Sequence, residues 1–143
     1  MIFPEGFILP DSDLTPLQTS GQTRPRVLLV EDDKALRRYL EITLQRAGYE
    51  VVSAADGLEG MKTALASPID LVITDAMMPN LSGHELCRFL RNSPKLAQIP
   101  IVLLSATERK ESSRDDGLAD AFLSKPVSAE KLTECVAGLL AGK

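Results

Sequence analysis

Basic residues do not outnumber acidic ones: 16 Lys and Arg against 20 Asp and Glu leave a net charge of −4. A broad nucleic-acid footprint needs the opposite balance, because phosphate backbones are met by basic surfaces. Cysteine is scarce. Cys87 and Cys135 stand far apart, which gives neither a zinc-ligand spacing nor a disulfide framework and suits a reducing cytoplasm. No apolar run approaches the roughly 20 residues that cross a bilayer. The amino terminus carries Glu5, Asp11 and Asp13 but no early Lys or Arg, so no secretory signal is expected. What remains is a chain of 143 residues, 44% apolar and 25% charged. That is room for one ordinary globular domain, large enough to bury a core without covalent staples.

Residues 1–25 stand apart from the rest. They hold four of the nine prolines, Pro4, Pro10, Pro16 and Pro25, and read as an extended tail. Regular patterning starts at Arg26. Val27–Val30 is a short apolar run, as in a strand buried on both faces. Leu36, Leu40, Leu44 and Ala47 then recur at helical spacing, and Gly48 ends that helix. A second strand is expected over 49–54. Leu58, Met61 and Leu65 mark a second helix that ends near Ser67-Pro68. A third strand is expected over 69–74, a helix around Leu86, Phe89 and Leu90, a fourth strand over 101–104, and a brief fifth over 121–123. Leu132, Val136, Leu139 and Leu140 share one face of a last helix, with Ser128 as its N-cap. Alternating strands and helices predict a doubly wound α/β fold, a parallel sheet with helices on both faces. Right-handed crossovers give five strands in the flavodoxin-like order 2-1-3-4-5.

Sites in such sheets form where the strands end. Glu31-Asp32-Asp33 follows the first strand, Asp75-Ala76-Met77-Met78-Pro79 the third, Ser105-Ala106-Thr107 the fourth and Lys125-Pro126 the fifth. The fold brings all four clusters to one edge. Three carboxylates in one cleft call for a cation, and hard oxygen ligands suit Mg²⁺. A carboxylate can also attack phosphorus to give an aspartyl-phosphate, provided the phosphoryl oxygens are neutralised. Asp75, at the end of the central strand, is the candidate nucleophile. Glu31 and Asp32 are the candidate metal ligands. Lys125 and Ser105 are placed to meet phosphoryl oxygens, and Asp33 reads as an acid at a helix start.

These stretches, VLLVEDD (27–33), DLVITDAMMPNLSG (70–83), IPIVLLSA (99–106) and FLSKP (122–126), resemble the receiver domain of bacterial two-component response regulators, in the stand-alone form of the chemotaxis regulators. The resemblance covers residues 26–141. It implies that Asp75 accepts a phosphoryl group from a sensor histidine kinase or a histidine phosphotransfer protein. It further implies that Glu31, Asp32, Asp75 and the backbone carbonyl of Met77 hold Mg²⁺, and that Lys125 is the motif lysine. Ser105 becomes the switch hydroxyl and Phe122 the switch aromatic, and the Lys125–Pro126 bond is often cis in the family. A phosphoryl group adds about −1.5 to −2 charges, so activation is a population shift between two packings that alters binding of a downstream protein. Such a domain is not an enzyme beyond its own phosphorylation and dephosphorylation. His84 is expected at the surface of a helix start without a phosphotransfer role, and both cysteines as small core residues.

One stretch departs from the family. Residues 108–117, ERKESSRDDG, contain no apolar side chain and cannot give a fourth helix the apolar face it needs. The i,i+4 pairs Lys110–Arg114 and Glu111–Asp115 are like-charged. A short, irregular or displaced fourth helix is therefore expected. The apolar tail residues Phe3, Phe7, Ile8 and Leu9 are candidates to cover the sheet there, in the same chain or across a homodimer; the alternative is a free tail. Three other readings compete. A pseudo-receiver would bind its partner without phosphorylation. Ala141-Gly142-Lys143 directly follows the last helix, so a stand-alone receiver without a DNA-binding output domain is expected, and a fragment of a longer regulator would look the same. A haloacid-dehalogenase-type phosphohydrolase would need a second acid where Met77 stands.

Overall fold

The computed structural model describes residues 24–106 and 118–142. The expected tail (1–25, save its last two residues), the expected irregular helix (108–117) and Thr107 lie outside the described residues. Among the described residues five strands and four helices follow one another: β1 (Arg26–Val30), α1 (Lys34–Arg46), β2 (Glu50–Ala54), α2 (Gly57–Ala66), β3 (Leu71–Asp75), α3 (Gly83–Asn92), β4 (Ile101–Ser105), β5 (Ala121–Ser124) and α4 (Ala129–Ala141). The strands form one parallel sheet in the order β2-β1-β3-β4-β5, as expected. No helix among the described residues is long and apolar enough to cross a membrane.

Alternation along each strand divides the core in two. Leu28, Val30, Val72, Ile101 and Leu103 face α2 and α3 and pack with Ala64, Leu86 and Leu90. Val27, Leu29, Leu71, Ile73, Val102 and Leu104 face α1 and α4 and pack with Leu40, Leu44, Leu132 and Val136. Both faces of β1, β3 and β4 are covered, which is why these strands read as unbroken apolar runs.

Local chemistry sets the helix ends. The Asp33 carboxylate accepts the Leu36 N–H at 3.0 Å and caps α1, and Gly48 takes the left-handed backbone (φ 100°) just past its end. Asp56 caps α2, Ser82 and Glu85 form a reciprocal capping box on α3, and Ser128 caps α4 as expected. One expectation needs correction. The third strand runs over Leu71–Asp75, not 69–74, because the Asp70 carboxylate turns back to accept the Arg26 N–H at 2.8 Å. In α2 the leucines that mark the helix are not its buried face. Leu58 is 46% and Leu65 52% exposed, while Gly57, Gly60 and Ala64 are buried. A Cβ on Gly60 would lie 2.8 Å from Val30 Cγ2, so α2 approaches β1 along a small-residue stripe.

Candidate functional site

The ends of β1 and β3 place the acids. Glu31 extends the ladder, its N–H donating to the Ala54 carbonyl at 3.1 Å. Its side chain is fully buried. One carboxylate oxygen, Oε2, accepts the Asp33 N–H at 3.1 Å. The other, Oε1, is buried and has no hydrogen bond. Asp75, the last residue of β3, is buried as well, whereas Asp32 is exposed. One carboxylate oxygen from each of Glu31, Asp32 and Asp75 lies within 4.8 Å of the other two.

β4 and β5 bring the remaining groups. The Ala76 N–H donates to the Leu104 carbonyl at 2.8 Å, and the Lys125 N–H to the Ser105 carbonyl at 2.7 Å. Ser105 is thereby set between the ends of β3 and β5. Lys125 Nζ reaches across to Asp75 Oδ2 at 3.2 Å and to Glu31 Oε1 at 3.4 Å, the latter a charge contact without hydrogen-bond geometry. The Lys125–Pro126 bond is cis. Phe122, one strand-length before the lysine, is 39% exposed. Met77 points its side chain to solvent, 72% exposed. His84 is half-buried in the first turn of α3, Cys87 is buried, and Cys135 packs half-buried against the α1–α4 side of the core.

The electrostatics follow from burial. Desolvation raises the Glu31 carboxyl; the Asp33 amide and the Lys125 charge only partly oppose it, and Asp75 adds to it. Asp75 is raised for the same first reason, with Lys125 and the Met77 amide pulling the other way. Burial also works against the Lys125 ammonium, but the Asp75 and Glu31 carboxylates outweigh it and hold the lysine above its ordinary range. One lysine thus leaves the cluster with an excess of negative charge. The orphaned Oε1 of Glu31 beside two further carboxylates is an all-oxygen donor set that fits a hard divalent cation such as Mg²⁺.

Three contributors were not legible beforehand. Arg37 donates from Nη1 to the Glu31 carbonyl at 2.7 Å. Gly83 donates its N–H to the Ala76 carbonyl at 3.0 Å, and a Cβ there would overlap the Asp75 carbonyl oxygen. Thr74, buried, donates to that same oxygen at 3.0 Å. Only Gly83 carries a sequence signal, a glycine directly after an N-cap serine.

A comparison with known protein families matches residues 27–137 to the response regulator receiver domain. The chain belongs to this family. Among curated relatives, the DNA-binding dual master transcriptional regulator RpaA of Synechocystis is 36% identical over 119 residues, covering 81% of this chain and 49% of that protein. The receiver therefore spans about half the length of the transcriptional regulators it matches. Among solved structures, the chemotaxis response regulator CheY4 of Vibrio cholerae superposes with a TM-score of 0.78 at 32% identity, over 82% of this chain and all of that one. The response regulator TrrA of Thermotoga maritima, solved in complex with Mg²⁺–BeF, gives 0.75 at 34% identity, over 81% of this chain and 99% of that one. The receiver is thus a signalling domain of two-component systems, a class that works with histidine kinases and phosphotransfer proteins.

Proposed function

We propose that this receiver is a phosphorylation-controlled switch that accepts a phosphoryl group on Asp75 from a sensor histidine kinase or a histidine phosphotransfer protein. The observation that carries the reading is the Lys125 ammonium 3.2 Å from the Asp75 carboxylate, within a cluster where three carboxylates converge. An Asp75 oxygen attacks phosphorus as the bond to the donor's histidine nitrogen breaks, and the nitrogen keeps the electron pair. Glu31, Asp32, Asp75 and the Met77 carbonyl would hold Mg²⁺, which when bound neutralises charge on the phosphoryl oxygens. Lys125 meets a second phosphoryl oxygen and loses part of its contact with Asp75. Ser105, set between β3 and β5, donates its hydroxyl to a third. Its displacement opens room beside β5 into which Phe122 turns, and the changed face alters the binding of a downstream protein.

Intact mass after incubation with a small-molecule phosphodonor tests this. The expected result is a single phosphoryl adduct that needs Mg²⁺ and disappears in Asp75→Ala. Loss of the adduct together with failure to form a fluoroberyllate complex would overturn the reading and leave a binding module that works without phosphorylation.

A further inference from the structure

We infer that Arg37 is a positioning residue for the cation site, acting through the backbone of Glu31; the inference rests on the function proposed above. Arg37 is the fourth residue of α1 and points back over the turn that joins β1 to that helix. Its own N–H closes the first helical turn on the Asp33 carbonyl at 2.9 Å. Its Nη1 donates to the Glu31 carbonyl at 2.7 Å from a half-buried position. That carbonyl stands where the β1 ladder has just ended.

Glu31 is consequently fixed at three points. Its N–H is bound to Ala54 on β2, its carbonyl to Arg37 on α1, and its Oε2 to the Asp33 N–H. With those three occupied, the orphaned Oε1 is held towards Asp75 and Lys125. The Arg37 bond also fixes the peptide plane between Glu31 and Asp32, and so sets where the exposed Asp32 carboxylate begins. A charge-assisted bond of this kind is stronger than a neutral one, and partners that orient metal ligands commonly matter to metal affinity by an order of magnitude or more.

The charge of Arg37 makes the idea sharply testable, because it opposes the positioning effect. If Arg37 acted only as a nearby positive charge, removing it would tighten binding of a cation. If it positions Glu31 and Asp32, removing it weakens binding. Calorimetric titration with Mg²⁺ alone should be run on the wild type, Arg37→Ala, Arg37→Lys and Asp75→Asn, with a metal-free melting curve for each. The expected result is about tenfold weaker Mg²⁺ binding in Arg37→Ala, with at least half of the loss, on a logarithmic scale, recovered in Arg37→Lys, which can still donate to the carbonyl. Should Arg37→Ala not fold, weaker binding by a folded Arg37→Lys carries the test. Equal or tighter binding by Arg37→Ala, with the wild type binding Mg²⁺ and Asp75→Asn impaired, would overturn the role of Arg37 alone. A wild type that binds no Mg²⁺ would overturn the site itself and Arg37's role with it.

Discussion

The two edges of the sheet are built on opposite terms. At the amino-terminal edge charge is closed off. Arg91, at the end of α3, gives its guanidinium to the carbonyls of Leu118, Ala97 and Ile99 and to the Asp120 carboxylate, at 2.6–3.0 Å. Asp120 in turn accepts the Ile101 N–H at 2.8 Å and so registers β5 on β4. Asp70 does the same for Arg26. At the carboxyl-terminal edge three carboxylates converge, one lysine reaches two of them, and a buried oxygen has no hydrogen bond. Saturated polar groups stabilise a fold, whereas buried charge left short of partners costs stability. The molecule is fastened at one edge and left with uncompensated negative charge at the other.

Substitutions can break that contrast from either side. The largest effect is expected from Asp75→Asn, which should abolish the phosphoryl adduct in mass spectrometry and yet raise the metal-free melting temperature by a few degrees, a gain of about 1 kcal/mol from removing a crowded buried charge. Lys125→Met should do the reverse to stability. With its two carboxylates left without their cation, the fold should lose about 2–3 kcal/mol in urea unfolding, and saturating Mg²⁺ should restore part of it by mass action. Arg91→Ala should cost about 2 kcal/mol while leaving Mg²⁺ affinity within twofold of wild type, because it loosens only the closed edge.

A pH series sharpens the comparison further. Glu31 and Asp75 are raised by burial, so in chelator their contribution to stability is fully present below the ordinary carboxylate range and is lost as pH rises through their raised values. The melting-temperature advantage of Asp75→Asn should therefore shrink on acidification towards pH 4. Lys125 works the other way at alkaline pH: its contribution holds below its ordinary value and is lost as pH climbs through the raised one. The smallest effect belongs to the pair of exposed Arg38 with half-buried Glu41 on α1. Arg38→Ala should change stability by less than about 0.5 kcal/mol.

Much of this was legible in the sequence because the strands carry it. Val27–Val30 and Ile101–Leu104 are apolar on both faces and announce a covered parallel sheet. The polar residues directly after them then have only one edge on which to gather, so Glu31, Asp75, Ser105 and Lys125 could be placed together. What escaped depends on geometry that hydrophobic spacing does not encode. Leu58, Met61 and Leu65 mark the helix, but of the three only Met61 packs against the core, and close approach to Val30 favours the face of Gly57, Gly60 and Ala64. Asp70 belongs to an apolar run by position, but β3 begins only after it, its carboxylate having turned to accept the Arg26 N–H. Nothing in the sequence marks Arg37 or Arg91, since what distinguishes them is which backbone carbonyls lie within reach.

A parallel sheet also has an order of assembly. β1 pairs only with β2 and β3, all encoded before residue 76, so the strands that carry Glu31, Asp32 and Asp75 emerge from a ribosome well ahead of Lys125. A domain generally folds as a unit, and this one cannot complete its acidic edge until β4 and β5 have joined the sheet. The Lys125 ammonium, 3.2 Å from Asp75 and 3.4 Å from Glu31, is therefore among the last groups to arrive, and the two buried acids stay without their counter-charge until the chain is almost complete.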